Sequence, residues 1–329
     1  MSPETQVRVV HIDPDGFEDL EIERSELGSE FDSMTFEAVD ASGKEVANQV
    51  GTADIILTHY AAVPAEVMNA TECSVVSCYA TGVDNVDVEA ATDRGVAVTN
   101  VPQYCDEEVG EHIVTLGLAL LRGLPQYEQH TANGGWDWRA AGPVKTATTQ
   151  TFGFFAFGRK ARVAAKRAED FGFNVIAHDP YLSDEEIRDA GPDPVSFNDL
   201  VEKSDLLSLN APLTPETEQL FDASVFERMA ENSVLINTAR GRLVDEDALV
   251  DALDNGPLRG AGLDVLATEP PEKNNELVTH PDTIVTPHAA WFSPDAVERV
   301  RRRGSQIAAA AYRGEAVDGV VNPEAFESR

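Results

Sequence analysis

Short apolar runs alternate along this chain with stretches in which apolar residues recur every three or four positions. The runs predict buried strands at Val7–Ile12, Asp54–Thr58, Cys73–Cys78 and Val96–Thr99, with short helices over Pro64–Ala70 and Asp87–Arg94 between them. A longer helix over Asp106–Arg122 sets Val109, Ile113, Leu116 and Leu120 on one face. After a loop rich in Gly, Thr and Trp the pattern restarts. Its strands are Phe152–Phe155, Asn174–Ala177, Asp205–Leu209, Ser233–Asn237, Gly260–Leu263 and Thr283–Val285. Helices are predicted over Gly158–Phe171 and Asp245–Asp254, and a last one runs from Ser293, as N-cap, to Tyr312, with Pro294 in its first turn. Strand and helix in alternation imply α/β architecture, with parallel sheets covered by helices.

Three polar residues follow strands of the second block: Arg240, Glu269 and His288. Ligands of open α/β sheets gather beyond the carboxyl ends of the strands, so the three point to one site. Arginine can hold a carboxylate through two parallel hydrogen bonds, and a Glu–His pair can exchange a proton near neutral pH. Such a set suits a 2-oxo acid, with a proton delivered to its carbonyl oxygen. Upstream, Ala156-Phe157-Gly158-Arg159-Lys160-Ala161 matches the dinucleotide spacing G-x-G-x-x-G/A except at its first position. Gly158 would let backbone approach a pyrophosphate at a helix N-terminus, and Ala161 suits close helix–strand packing. Ala156 departs from the pattern, because the tight turn there favours glycine. Asp179 lies 21 residues beyond Gly158, at a strand end where a carboxylate accepts from an adenosine ribose. An acid there repels a 2′-phosphate, so NAD is expected over NADP.

The length suits two domains, and 42% hydrophobic residues suffice for two cores. The nucleotide signal belongs to the second block. The expected division is therefore a first part over residues 1–102, a nucleotide domain over 103–290, and a helix and tail over 291–329 returning to the first part. Hinges near Val101–Gln103 and Ala289–Phe292 would let a cleft close and exclude water.

Charge adds an environment. Acidic residues number 58 against 25 basic ones, only six of them lysine, for a net of −33. They are spread along the chain, which argues for a solvated surface adapted to high salt rather than a disordered tail. A surface meeting cationic partners is the competing reading, and nucleic acid is a poor partner. Arg301-Arg302-Arg303, the one basic run, is expected on the exposed face of the last helix. Cys73, Cys78 and Cys105 are odd in number and lack metal-ligand spacing, so no metal is expected and a reducing cytoplasm suits them. With no run of transmembrane length and no signal peptide, a soluble cytoplasmic protein without a membrane partner is expected. His59 is read as structural, and His112, Trp136 and Trp138 as helix-face and loop packing.

The sequence resembles the D-isomer-specific 2-hydroxyacid dehydrogenases, and among them the branch containing the C-terminal binding proteins. The resemblance runs from about Val50 to Asn322. It is carried by Gly82-Val83-Asp84-Asn85-Val86-Asp87, Asn100-Val101-Pro102, His178-Asp179-Pro180-Tyr181-Leu182 and Ala211-Pro212-Leu213-Thr214. Ile236-Asn237-Thr238-Ala239-Arg240-Gly241, Leu263-Asp264-Val265 with Glu269-Pro270, and Thr286-Pro287-His288-Ala289-Ala290-Trp291 complete it. It implies a doubly wound Rossmann sheet that binds NAD, a smaller flavodoxin-like substrate domain, and a homodimer.

It also implies roles. Arg240 would bind the carboxylate and carbonyl of a 2-oxo acid, His288 would give the proton, and Glu269 would orient the imidazole and favour its protonated form. Phe157, Gly158, Arg159 and Lys160 would contribute the turn beneath the pyrophosphate. Ala211, Pro212, Leu213 and Thr217 would border the adenine side. Thr238, Ala239, Asp264 and His288 would border the nicotinamide, with Asp264 accepting from its carboxamide. Amides near Thr81 and Gly82 would grip the substrate carboxylate, and Trp291 would wall the pocket. Relatives usually carry arginine where Cys78 stands and glycine where Ala80 stands. A phosphoglycerate-type dehydrogenase and an NAD-sensing corepressor-like protein are the alternatives, while the retained Glu269 argues against a formate dehydrogenase, whose branch has glutamine there.

Overall fold

The computed structural model describes residues 6–17 and 19–328. The chain forms two compact units, one running to Tyr104 and resuming at Ser293, the other spanning Cys105–Phe292. The first unit is built on β1 (Val7–His11), β2 (Met34–Ala38), β3 (Ile55–Thr58), β4 (Val75–Cys78) and β5 (Ala97–Thr99). These pair in parallel in the order β2-β1-β3-β4-β5, the flavodoxin-like arrangement. β3 and β4 are buried along their whole length, as expected of strands covered on both faces. β2 has no residue classed as buried, which fits its place at the sheet edge and explains why no apolar run announces it.

The helix Pro294–Tyr312 belongs to this unit and packs against β4 and the helix Glu21–Glu30. Ser293 caps it by accepting from the Ala296 N–H, and Pro294 occupies its first turn. Gly304 meets the Tyr79 ring, where a Cβ would lie 2.5 Å from a ring carbon. The expected exposed basic face is corrected at Arg301. Its side chain is buried and forms two 2.7 Å hydrogen bonds to the buried carboxylate of Glu23, a partner 278 residues away. Arg302 pairs with Glu298 and Glu26.

The second unit contains β6 (Thr151–Phe155), β7 (Asn174–His178), β8 (Asp193–Pro194), β9 (Leu206–Leu209), β10 (Ser233–Asn237), β11 (Leu258–Leu263) and β12 (Thr283–Val285). All pair in parallel, in the order β12-β11-β10-β9-β6-β7-β8. The winding reverses between β6 and β9, the doubly wound pattern whose switch point receives ligands. The helix Asp106–Leu121 lies close over this sheet because glycines remove the intervening Cβ atoms. A Cβ on Gly117 would stand 3.0 Å from Leu206 of β9, and one on Gly262 of β11 would stand 2.9 Å from Leu116, while Gly110 gives the same close approach to Val163 of the helix Arg159–Asp170. The expected Gly-, Thr- and Trp-rich loop instead begins with a helix, Leu124–Ala132, that buries none of its residues. Trp136 and Trp138 do not pack as expected: they stand 93% and 73% exposed. Among the described residues, no helix is long and apolar enough to cross a membrane.

Candidate active site

The end of β6 makes a turn that only its backbone explains. Ala156 takes φ +61°, the left-handed region, and donates its N–H to the His178 carbonyl at 2.9 Å. The Phe157 N–H donates to the Asp179 carboxylate at 2.7 Å, while the Phe157 ring is fully buried. The other Asp179 oxygen accepts from the Tyr181 N–H at 2.8 Å. Gly158 is the N-cap of the helix Arg159–Asp170, and an added Cβ would meet nothing within 4 Å. Glycine here is therefore not demanded by the chain's own packing. It leaves open space where the first helical amides point, which fits an anionic pyrophosphate. A carboxylate has about four lone-pair positions, so Asp179 retains acceptor capacity for ribose hydroxyls. The side chains of Arg159 and Lys160 lean on Asp106, at 3.1 and 3.5 Å.

Beyond β9, Ala211 is buried, Leu213 packs on the core and Pro212 is exposed. The Thr217 hydroxyl closes this loop by donating to the Pro212 carbonyl at 2.7 Å and accepting from the Thr214 N–H at 2.8 Å. At the end of β10, the buried Asn237 shapes the loop that carries Thr238, Ala239 and Arg240. Its amide donates to the Arg240 carbonyl at 2.8 Å and its oxygen accepts from the Ala239 N–H at 3.0 Å. Arg240 donates to the Ala239 carbonyl at 2.6 Å. The next residue, Gly241, lies against backbone: a Cβ there would be 1.9 Å from the Leu266 carbonyl carbon. That close approach brings the Arg240 loop against the one bearing Glu269.

Glu269 accepts from the Leu266 N–H through one oxygen at 2.8 Å, and its other oxygen lies 2.8 Å from His288 Nδ1. Burial alone would raise the Glu269 carboxyl. The hydrogen bonds from His288 and Leu266, with the charges of His288 and Arg240, outweigh it and hold the group below its ordinary value. Glu269 is thus anionic at neutral pH and His288 donates through Nδ1, which leaves Nε2 to exchange a proton. The imidazole and the carboxyl are each about one-third exposed, at 35% and 36%.

His288 has φ +51° and donates its main-chain N–H to the Asp264 carbonyl at 2.8 Å. The buried Asp264 carboxylate accepts from the Thr286 hydroxyl at 2.6 Å and from the amides of Ala289 and Ala290 at 2.8 and 2.9 Å. Asp264, expected to meet a carboxamide, thus serves first as tether for the loop that presents His288. Asn237 and Thr286 gained no role from sequence, although both lie in quoted motifs. The partners of Asn237 lie two and three residues on in its own loop, whereas those of Thr286 emerge only when distant segments are brought side by side.

Thr81 and Gly82 follow β4 in the first unit. The Thr81 carbonyl accepts from the Asn100 amide at 2.6 Å, and the Ala80 carbonyl from the Val101 N–H at 2.9 Å. Cys78 is fully buried, and burial first, then the charges of Asp13 and Asp84, push its thiol up to about 12. Trp291 makes an edge contact with Phe292, ring centroids 5.8 Å apart.

A family model for the D-isomer specific 2-hydroxyacid dehydrogenase NAD binding domain matches residues 114–290. The chain is 35% identical over 286 residues to D-3-phosphoglycerate dehydrogenase 2, chloroplastic, of Arabidopsis thaliana, covering 86% of this chain and 46% of that protein. It is 34% identical over 263 residues to glycerate dehydrogenase of Methylorubrum extorquens, covering 78% and 81%. A solved structure of NAD-dependent formate dehydrogenase from Staphylococcus aureus in complex with NAD superposes with a TM-score of 0.84 at 28% identity. That match covers 95% of this chain and 97% of the other. The chain spans about half the length of the first phosphoglycerate dehydrogenases it matches.

Proposed function

Because the chain belongs to the D-isomer-specific 2-hydroxyacid dehydrogenase family, we propose that it interconverts a 2-oxo acid and the D-2-hydroxy acid with NAD as cofactor. The observation that carries this reading is the His288–Glu269 pair at 2.8 Å, with the Arg240 charge acting on the same carboxylate. When bound, the dinucleotide supplies or takes the hydride at the substrate C2. Arg240 holds the carboxylate and polarises the carbonyl. His288 gives a proton from Nε2 to the carbonyl oxygen on reduction and takes it back on oxidation. Glu269, anionic throughout, keeps Nδ1 protonated and steadies the imidazolium. The unit containing the Gly158 turn is proposed as the dinucleotide domain, and the other, with the Thr81 and Gly82 amides, as the substrate domain.

The substrate is proposed to lack a phosphate. Relatives usually place arginine where Cys78 stands, and a fully buried, protonated thiol offers a phosphate no charge. The motifs also suggested a placement near the C-terminal binding proteins, with Trp291 walling the pocket, whereas the relatives described above are named phosphoglycerate and glycerate dehydrogenases. A homodimer is proposed through the helix Leu124–Ala132 and the exposed Trp136 and Trp138.

The test is reduction of a panel of 2-oxo acids, with and without a phosphate, by NADH and by NADPH in molar KCl. Turnover of an unphosphorylated acid with NADH preferred is expected. Binding of NADH without reduction of any acid would replace the enzyme by a sensor. Preference for a phosphorylated acid would restore the phosphoglycerate reading.

A further inference from the structure

His112 stands on the helix Asp106–Leu121, outside the motifs that follow the strands. Its side chain is 23% exposed, and its Nε2 lies 3.0 Å from the Thr286 hydroxyl and 3.8 Å from an Asp264 oxygen. The Thr286 hydroxyl has one proton, and the Asp264 carboxylate takes it at 2.6 Å. Towards His112 that hydroxyl can therefore only accept, so the imidazole carries its hydrogen on Nε2. Burial holds the imidazole below its ordinary value against the opposing charge of Asp264, which favours the neutral ring with a single N–H. The donors run one way, from His112 through Thr286 to Asp264. The same carboxylate holds the Ala289 and Ala290 amides, and the Asp264 carbonyl holds the His288 N–H.

We propose that His112 is a positioning residue for His288, acting through Thr286 and Asp264 to fix the backbone from which the catalytic imidazole is presented. The proposal rests on reading His288 as the proton donor. Its physical basis is the left-handed backbone at His288, φ +51°. Such a conformation persists in a non-glycine residue only when its surroundings hold it. Without the His112 donor, the Thr286 hydroxyl can rotate away from Asp264, and one of the three hydrogen bonds to that buried carboxylate weakens.

Four variants test this in the full chain at molar KCl. His112→Phe keeps a ring without a donor, and His112→Gln returns an N–H at similar reach. Thr286→Val removes the hydroxyl at nearly constant shape, and Thr286→Ser restores it. His112→Phe and Thr286→Val are each expected to lower kcat about tenfold, with the KM for NADH within about twofold. The double variant should be little worse than either single one, because both break the same chain. His112→Gln and Thr286→Ser should recover most of the loss.

A second readout needs no turnover. The downfield proton resonance of the His288 Nδ1–H, identified by its loss in His288→Gln, should exchange faster with water in His112→Phe and Thr286→Val. A kcat within twofold of the unaltered protein in folded His112→Phe would overturn the proposal, as would additive losses or an unchanged resonance. Equal losses in His112→Phe and His112→Gln would reduce His112 to a packing role and also overturn it. If His112→Phe does not fold, the Thr286 pair decides by the same criteria. If the unaltered protein reduces no 2-oxo acid, the functional reading fails and the resonance alone judges the positioning.

Discussion

Four residues of the second unit other than glycine hold left-handed backbone, Ala156, Gln219, Asn232 and His288, and the two at the candidate site are held differently. His288 is tethered on both sides by Asp264. Ala156 is held by its N–H on the His178 carbonyl and by the next N–H, of Phe157, on Asp179. A left-handed Cβ costs roughly 1–2 kcal/mol. Ala156→Gly is therefore expected to relieve strain and tighten NAD binding by up to about 1 kcal/mol, measured by calorimetric titration; unchanged or weaker binding would show the turn to be relaxed. At the proton donor, His288→Ala should lower kcat by roughly 10²–10⁴-fold while NAD affinity barely moves, because the Gly158 turn and Asp179 address the dinucleotide. Glu269→Gln should move the loss of reductase activity to lower pH, since an amide no longer favours imidazolium. A pH profile that stays in place would remove Glu269 from that role.

Among elements, the end of β1 carries a group the sequence could not expose. His11 is fully buried, and neither ring nitrogen has a hydrogen-bond partner among the described residues. Asp13 lies 3.6 Å away, but its carboxylate already accepts from the amides of His59, Tyr60 and Ala61. Burial first, then the charges of His59 and Arg301, lower the His11 imidazole from 6.5 to about 3. Below pH 6.5 the unfolded chain takes a proton that the folded one refuses, so stability falls as pH drops from about 6.5 towards 3. His11→Phe, which keeps the ring against Phe17 and Tyr79, should flatten that fall. The difference between the two proteins in denaturant titrations at pH 7 and 4.5 should reach a few kcal/mol, roughly 1.4 per pH unit; identical slopes would refute it.

The central strands were legible because burial on both faces writes them as apolar runs. The edge strand β2 lacks such a run. The helix Leu124–Ala132 has no buried stripe to give it a period. Arg240, Glu269, His288 and Asp179 were legible because each stands just past a strand. His112 was not, since its partner Thr286 lies 174 residues on. Arg301 was misread for the same reason: a run of three arginines does not disclose that the first is paired with Glu23.

For the molecule as a whole, charge decides the medium. With a net of −33, most ion pairs at the surface, and a Debye length that grows from ~3 Å at molar salt to ~10 Å at a tenth of that, self-repulsion should become destabilising on dilution. The melting temperature should fall steadily from molar to tens of millimolar KCl, and a flat curve would favour a surface built for cationic partners. The arm that begins at Leu124 adds an optical consequence. Of three tryptophans, Trp136 and Trp138 are 93% and 73% exposed, so they should dominate a red-shifted intrinsic emission. If a second copy covers the arm, raising the protein concentration should shift that emission to the blue and shield it from iodide quenching. Serine at both positions should abolish the concentration dependence. The chain would then report its own assembly by its colour, without an attached dye.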